Sequence, residues 1–353
     1  MIVTQTQLGE LVRDLEQAPW LALDTEADSL HCYPEKLCLI QISLPGRDVL
    51  VDPLVKLDLD PLKAVLGGRE LILHGADYDL RLLHRTLGFV PQIVFDTMIA
   101  ARLLGIAEFG LNNLIQRFLG LHLEKGSQKA NWSIRPLTEK MVTYARNDTH
   151  FLRPLSDLLR AELVQKGRLA WLEQTCLQLI QDCSRVEPED PDGVWRVKGT
   201  DRLDRRSMGI VRELWHWRER EARAANKPPF YVLAHETLVA IANAAAHDHP
   251  LDTLVPNRFS PHRRSGLLHA VQIGLALPEA KLPLPRRSRG RRMTMSASER
   301  LEALRTVRDR RAGDLGIDPT LIASRATLTA LAVDWEAHQS ELLPWQRDLL
   351  MSR

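Results

Sequence analysis

Trp20-Leu-Ala-Leu-Asp-Thr-Glu26 is an apolar run that ends in two carboxylates, Asp24 and Glu26. If the run forms a β-strand, alternate side chains share one face, so both acids point the same way. Carboxylates at this spacing can bind one Mg²⁺ or share two, because hard divalent cations prefer oxygen ligands. The pattern is also typical of a solvated strand end, so its interpretation depends on further acids in the chain.

A second acidic segment, His74-Gly-Ala-Asp-Tyr-Asp79, follows another apolar strand candidate. Asp77 is suited to cap the helix predicted over about 77–88, and Asp79 then lies inside its first turn. We predict that Asp79 joins the site. His74 is predicted to be a pocket residue that contacts substrate, and the alternative is a hydrogen-bonded histidine at a strand end.

A third segment, Tyr144-Ala-Arg-Asn-Asp148, falls in a helical run that is predicted to begin near Thr138. Residues at i and i+4 share a helix face, so the Tyr144 phenol could orient an attacking water beside Asp148. A carboxylate cluster without a cation would repel itself, which favours metal binding. The sequence therefore predicts a phosphodiester-hydrolysing site with two Mg²⁺ or Mn²⁺ ions, the catalytic Tyr144, and the metal ligands Asp24, Glu26, Asp79 and Asp148.

The pattern around these segments predicts a mixed sheet with helices packed on it. Pro45-Gly-Arg47 has turn chemistry and predicts an antiparallel hairpin between its flanking strands. The predicted strands cover residues 20–24, 37–43, 48–52, 70–74 and 93–95, and the predicted helices cover about 5–17, 60–67, 77–88 and several more segments to about 182.

Beyond this region the chain is predicted to be helical, with two breaks in composition. Residues 186–193 are rich in acids and proline, and the cluster Arg286-Arg-Ser-Arg-Gly-Arg-Arg292 holds five arginines without an acid. A shift of 90 residues places Arg218 on Arg308 and Pro229 on Pro319 without a gap. The conserved register across a proline indicates an internal duplication.

The totals exclude several classes of protein. A chain of 353 residues has room for two or three domains, and its net charge of +2 gives no global attraction to a polyanion. We expect a cytoplasmic protein without a signal peptide or membrane span, because no apolar run reaches about 18 residues. The four cysteines lack CxxC spacing, which favours free thiols in a reducing compartment.

Several motifs, in this order, resemble the ribonuclease D family of DEDD 3′–5′ exonucleases, in the subgroup with a tyrosine in the third motif. The C-terminal parts, with Lys227-Pro-Pro-Phe-Tyr-Val-Leu-Ala-His-Glu-Thr-Leu238, resemble the helicase-and-RNase-D C-terminal (HRDC) module, which bacterial members carry twice. The motifs that carry the family resemblance are Asp24-Thr-Glu26, Leu39-Ile-Gln41, His74-Gly-Ala-Asp-Tyr-Asp-Leu80, Phe95-Asp-Thr97, Trp132-x2-Arg-Pro-Leu137 and Tyr144-x3-Asp148.

The resemblance implies an α/β ribonuclease H-like exonuclease domain, with a mixed sheet and flanking helices, followed by two all-α HRDC-like domains. It implies a monomeric enzyme that releases nucleoside 5′-monophosphates from the 3′ ends of tRNA precursors and other structured RNAs. The alternatives are a 3′–5′ DNA exonuclease and a catalytically inactive RNA-binding protein. The predicted boundaries are 1–185 for the exonuclease, 186–202 for a linker, 203–282 for the first HRDC domain, 283–297 for a basic linker and 298–353 for the second.

Substrate contacts are expected from motif residues and from one cation. We predict that Gln41, Trp132 and Arg135 contact the RNA together with His74, with Arg135 binding a phosphate. The family usually has an aromatic residue where this chain has Ala27, and often Ser-Asp where this chain has Ala130-Asn131. Neither departure removes a predicted metal ligand.

Overall fold

The structure is a computed structural model that describes residues 1–124, 126–185, 190, 192–285 and 293–351. Contacts divide the chain into two compact units. Unit 1 comprises the described residues of Met1–Ala27, Leu37–Arg185 and Arg292–Arg353, and unit 2 those of Asp28–Lys36 and Val186–Arg291.

Unit 1 is built on a five-stranded mixed sheet of order β3-β2-β1-β4-β5. The strands β1, β2 and β3 are antiparallel, whereas β4 and β5 run parallel to β1. The predicted hairpin and mixed sheet are therefore confirmed. The strands are β1 (Leu21–Ala27), β2 (Leu37–Leu44), β3 (Arg47–Val51), β4 (Glu70–Leu73) and β5 (Ile93–Asp96).

The helices of the same region match the predicted periodicity. Thr4 forms a capping box at the start of the first helix, whose Leu8, Leu11 and Leu15 are buried at helical spacing. The helices are α1 (Gln5–Gln17), α2 (Asp60–Gly67), α3 (Asp77–Leu87), α4 (Thr97–Leu103), α5 (Leu111–Leu119), α6 (Glu139–His150), α7 (Leu152–Gln165) and α8 (Leu169–Ser184).

Two predicted helix starts have different outcomes. Thr138 caps α6 as predicted, because its side chain accepts a hydrogen bond from the Met141 amide. The prediction that Asp77 caps α3 is wrong. The cap position is Ala76, and Asp77 is the first helical residue, where its charge favours the helix N-terminus without a capping bond.

The two faces of the β1–β2–β3 ladder have different neighbours. Strand register pairs Asp24 with Gln41 and Glu26 with Leu39, so these side chains share one face. Helix α6 packs on this ladder, and Trp132 lies in the small core that forms there. The opposite face, with Leu23 and Ile40, belongs to the main core of the unit.

Unit 2 is helical and has a core of its own, which includes Trp195 and Trp217. The segment Asp28–Lys36 groups with it, and the Tyr33 amide donates to Asn226 Oδ1 at 3.2 Å. Its helices are α9 (Arg205–Ala225), α10 (Pro229–Val232), α11 (His235–Ala246) and α12 (Pro261–Leu275).

The remaining helices belong to unit 1, and they repeat the start of unit 2. Shifting α9, α10 and α11 by 90 residues gives the bounds of α13 and α14 and the start of α15. An internal hydrogen bond is repeated too: Arg218 Nη1 donates to Leu233 O at 3.4 Å, and Arg308 Nη1 to Ala323 O at 3.0 Å. These repeats support duplication. The helices are α13 (Met295–Leu315), α14 (Pro319–Ile322), α15 (Arg325–Val333), α16 (Trp335–His338) and α17 (Pro344–Met351).

The α13–α17 segment shares the core of the sheet region. Trp345 stacks on Trp171 with ring centroids 4.8 Å apart and planes inclined by 12°. The buried Arg168 donates to Leu315 O at 2.8 Å. A Cβ on Gly105 would lie 2.0 Å from Gly316 O, so only glycine permits this close approach. The predicted division of the chain into five segments remains a prediction.

Two sequence features fall largely or wholly outside the described residues. These are the arginine cluster 286–292 and most of the acidic break 186–193. Within the described part of the chain, no helix is both long and apolar enough to cross a bilayer.

Candidate active site

Three of the four predicted acids meet at one end of the sheet. Asp24 and Glu26 extend from one face of β1, and Asp148 comes from α6, which packs against that ladder. Each offers a carboxylate oxygen, and the three oxygens lie within 4.8 Å of one another. The two-residue spacing on a strand therefore produces the shared face that the sequence predicts.

The fourth acid, Asp79, is held by the residue between the first two. Its Oδ1 accepts hydrogen bonds from the Thr25 amide at 3.0 Å and the Thr25 hydroxyl at 2.5 Å. Asp79 is buried in the first turn of α3 and lines the same cavity as the other acids. Asp77 instead is exposed and pairs with Arg81 at 3.0 Å, so the structure separates the two candidates as predicted.

The turn before α3 is fixed by Asp96, at the end of β5. This fully buried carboxylate accepts hydrogen bonds from the Gly75 amide at 3.0 Å and the Ala76 amide at 2.8 Å, and it also caps α4. The neighbouring Thr97 hydroxyl lies 2.9 Å from His74 Nδ1. Asp96 and Thr97 therefore position the segment from His74 to Ala76, which connects β4 to α3.

Tyr144 and Asp148 lie one turn apart on α6, and their side chains are hydrogen-bonded. The buried Trp132 contacts the Tyr144 ring, with centroids 6.1 Å apart and planes inclined by 38°. The base of the helix is fixed to β2 by a 2.7 Å hydrogen bond between Thr149 and Ser43. The helix therefore presents phenol and carboxylate together.

Burial and mutual repulsion dominate the electrostatics of the cluster. Burial raises the pKa of Glu26 to about 9, and the nearby Asp148 and Asp79 add to this shift. Burial, followed by repulsion from the other acids, raises the pKa of Asp24 well above its usual range. Burial also raises the pKa values of Asp79 and Asp148 to about 7. The cluster thus favours protons or cations over four free charges.

Two neutral groups adjoin the acids. Burial raises the pKa of Tyr144 above its usual range, and repulsion from Asp148 contributes further, so the phenol keeps its proton. Burial lowers the pKa of His74, which favours the neutral imidazole. Both residues line a cavity of about 650 Å³ together with the acids.

Apart from the acids and His74, the described residues that line this cavity are uncharged, and neither lysine nor arginine is among them. They include the amide side chains of Asn112, Asn113 and Gln128.

Of the four predicted substrate contacts, the structure brings only His74 to the cavity. Gln41 and Trp132 are buried in the core beneath α6, where no solvent-borne substrate reaches them. Arg135 makes two hydrogen bonds to Asp52, and its Nη2 donates to Cys38 O at 2.7 Å. These three positions differ from the expectation, because internal partners or packing occupy the side chains.

Sequence reasoning missed two residues that shape the site. Thr25 was quoted inside the first motif without a role, although its hydroxyl holds Asp79. Gly126 lines the cavity and approaches the Tyr144 ring so closely that a Cβ would lie 1.5 Å from Cδ2. Only the strand position of Thr25 was a usable signal, because the contact of Gly126 depends on tertiary structure.

Comparisons with known proteins agree with this geometry. Residues 1–164 match the family model described as 3′–5′ exonuclease, and residues 207–248 match the HRDC domain model. Ribonuclease D of Gluconacetobacter diazotrophicus is 31% identical over 98% of this chain and 89% of its own length. Ribonuclease D of Pseudomonas paraeruginosa is 30% identical over 97% of this chain and 92% of its own.

Solved structures give the same result. Escherichia coli RNase D, described as an exoribonuclease involved in structured RNA processing, has a TM-score of 0.75 and 27% identity, covering 98% of this chain and 91% of that one. The catalytic core of RRP6 from Trypanosoma brucei has a TM-score of 0.63 and 27% identity, with 77% of each chain covered. The predicted exonuclease fold with a helical HRDC domain is confirmed. This chain therefore belongs to the ribonuclease D family, and it is a 3′–5′ exoribonuclease.

Proposed function

We propose that Asp24, Glu26, Asp79 and Asp148 bind two divalent cations, Mg²⁺ or Mn²⁺, and that Tyr144 orients the water that attacks the terminal phosphodiester of RNA. The observation that carries this proposal is the meeting of three carboxylate oxygens within 4.8 Å, with Asp79 held beside them by Thr25. Burial, together with repulsion from the other acids, raises the pKa values of Asp24 and Glu26. An all-oxygen, acidic donor set of this kind fits hard divalent cations.

When bound, such cations stabilise the charge of the attacking and leaving oxygens in an in-line displacement. The contribution of the protein's own residues follows from their surroundings. The Tyr144 phenol donates a hydrogen bond to Asp148, and its oxygen can accept one from a water and so align that water for attack. Thr25 binds Oδ1 of Asp79 through its amide and its hydroxyl, and so holds this carboxylate in place.

The proposed substrates are RNAs with a free 3′ end, including tRNA precursors and other structured RNAs, and the products are nucleoside 5′-monophosphates. The relative from E. coli is described as acting in structured RNA processing, which supports this class. We further propose a monomeric enzyme that acts in the cytoplasm. DNA is the alternative substrate to be compared.

The test uses 5′-labelled single-stranded RNA and the matched DNA, with Mg²⁺, with Mn²⁺ and with EDTA. The full-length protein should shorten RNA from the 3′ end with either metal, shorten DNA more slowly, and do neither in EDTA. Asp148→Asn should abolish cleavage, whereas Asp77→Asn, two residues from a proposed ligand but exposed, should retain it. Cleavage by Asp148→Asn would contradict the ligand assignment, and equal rates on DNA would contradict the RNA preference.

A further inference from the structure

The loop that precedes Trp132 makes an unusually close contact with the proposed catalytic tyrosine. A Cβ built on Gly126 would lie 1.5 Å from Cδ2, 2.1 Å from Cε2 and 2.6 Å from Cγ of Tyr144. All three distances are far below ordinary van der Waals contact, so the backbone of Gly126 itself rests against the ring. The backbone of Gly126 does not lie in the left-handed region, so the ring alone makes glycine necessary here.

The ring has little room to move away from this contact. The indole of Trp132 is buried and contacts the same ring at a centroid distance of 6.1 Å. Ala145, the next residue on α6, is fully buried, and Thr149 fixes the end of the helix to β2. Rotation of the Tyr144 side chain would also break its hydrogen bond to Asp148. The ring is therefore confined by the helix, the indole and the Gly126 backbone.

We infer that Gly126 is a positioning residue, whose lack of a side chain lets the loop close on the Tyr144 ring and hold the phenol in its hydrogen bond to Asp148. The inference rests on the proposed role of Tyr144. Gly126 also lines the active-site cavity together with Tyr144, so this contact lies at the cavity wall. Rigid support of this kind matters, because a water must be aligned to within a fraction of an ångström for efficient attack.

Gly126→Ala tests the inference, and Gly68→Ala is the matched control. Gly68 has a φ of −88°, and a Cβ there would meet nothing within 4 Å, so alanine changes only backbone freedom. With Mg²⁺, Gly126→Ala should lower kcat roughly 10- to 100-fold and change KM much less, because the group it displaces acts on the attacking water. Gly68→Ala should keep both parameters. A wild-type kcat in Gly126→Ala, or a rise in KM alone, would overturn the inference.

A double-mutant cycle separates this inference from the proposed function. Tyr144→Phe alone tests the phenol: if it keeps full activity, the proposed role of Tyr144 fails. If Tyr144→Phe is impaired, adding Gly126→Ala should lower kcat little further, because both changes remove the same hydroxyl from its place. A further full loss in the double variant would show that Gly126 acts independently of Tyr144.

A readout without metal or catalysis completes the test. The chain has four tyrosines, so protein labelled with 3-fluorotyrosine gives a simple ¹⁹F spectrum, in which Tyr144→Phe identifies one resonance. In EDTA, Gly126→Ala should shift or broaden that resonance and leave the other three in place, whereas Gly68→Ala should leave all four unchanged. An unchanged Tyr144 resonance in Gly126→Ala would refute the contact itself.

Discussion

Replacing Glu26 by glutamine is expected to stabilise the metal-free protein while it removes nuclease activity. Glu26 is largely buried at the end of β1, and burial with repulsion from Asp148 and Asp79 raises its pKa from 4.5 to about 9. At pH 7 the folded protein therefore holds a proton on this side chain, whereas the unfolded chain does not. Glutamine has nearly the same shape and carries no charge. The variant therefore has no side chain at this position that ionises when the protein unfolds.

The size of the effect follows from the pKa values. In the unfolded chain the pKa of Glu26 is 4.5, which lies 2.5 units below pH 7. Ionisation at pH 7 therefore stabilises the unfolded chain by about 3 kcal/mol, at 1.36 kcal/mol per unit. The folded pKa of Glu26 is higher than its unfolded pKa. The contribution of this protonated side chain to the free energy of unfolding is therefore fully present below about pH 4.5 and is lost as the pH rises toward 9. The advantage of Glu26→Gln should be small at pH 5 and largest near pH 9.

Thermal unfolding followed by circular dichroism at pH 5, 7 and 9, with EDTA or Mg²⁺, measures this effect. In EDTA at pH 7 the variant should melt roughly 5 to 10 °C higher than the wild type. Mg²⁺ should raise the Tm of the wild type only, because ligand binding stabilises the folded state. Glu10→Gln, an exposed change on α1, is the control and should melt like the wild type. A variant that melts below the wild type in EDTA at pH 9 would refute the reasoning.

Two further predictions concern support of the site and of unit 1. Thr25→Val should lower kcat about 10-fold and stability by about 1 kcal/mol, because it removes the hydroxyl that holds Asp79 but keeps the shape of the side chain. The control is Thr86→Val, because the Thr86 hydroxyl donates to Leu82 O within its own helix. Equal activities of the two variants would contradict the role of Thr25. A chain that ends at residue 291 should show a lower Tm and bind a hydrophobic dye, because it exposes Trp171 and its neighbours; an unchanged melting curve would contradict the shared core.

Local sequence rules predicted the strands and the faces that bring the acids together. The period of two on β1 places Asp24 and Glu26 on one face, and the period of α6 aligns Tyr144 with Asp148. These are relations within one element, so sequence spacing alone determines them. Asp79 was chosen over Asp77 because Asp77 was expected to cap α3; the cap is Ala76, but Asp79 does lie in the first turn and lines the cavity.

Relations between distant segments were not predictable in this way. Arg135 was predicted to bind a phosphate of the RNA, but in the fold it pairs with Asp52, which lies 83 residues away in the sequence. Gly126 carries no side chain that could signal a role, and its importance comes from the approach of a ring on another element. Such contacts depend on how elements pack, which neither periodicity nor spacing encodes.

The repeated helices α9–α11 and α13–α15 pack into different cores, which places different constraints on their sequences. The first copy keeps a core around its own Trp217, so its substitutions must remain compatible within the module. The second copy contributes Ile322 and Leu328 to the core of the sheet region, so its substitutions must remain compatible with the residues of that core. In an alignment of relatives, positions of the second copy should therefore covary with the nuclease, whereas the first copy should covary mainly with itself. Exchanging modules between relatives should accordingly be tolerated better for the first copy than for the second.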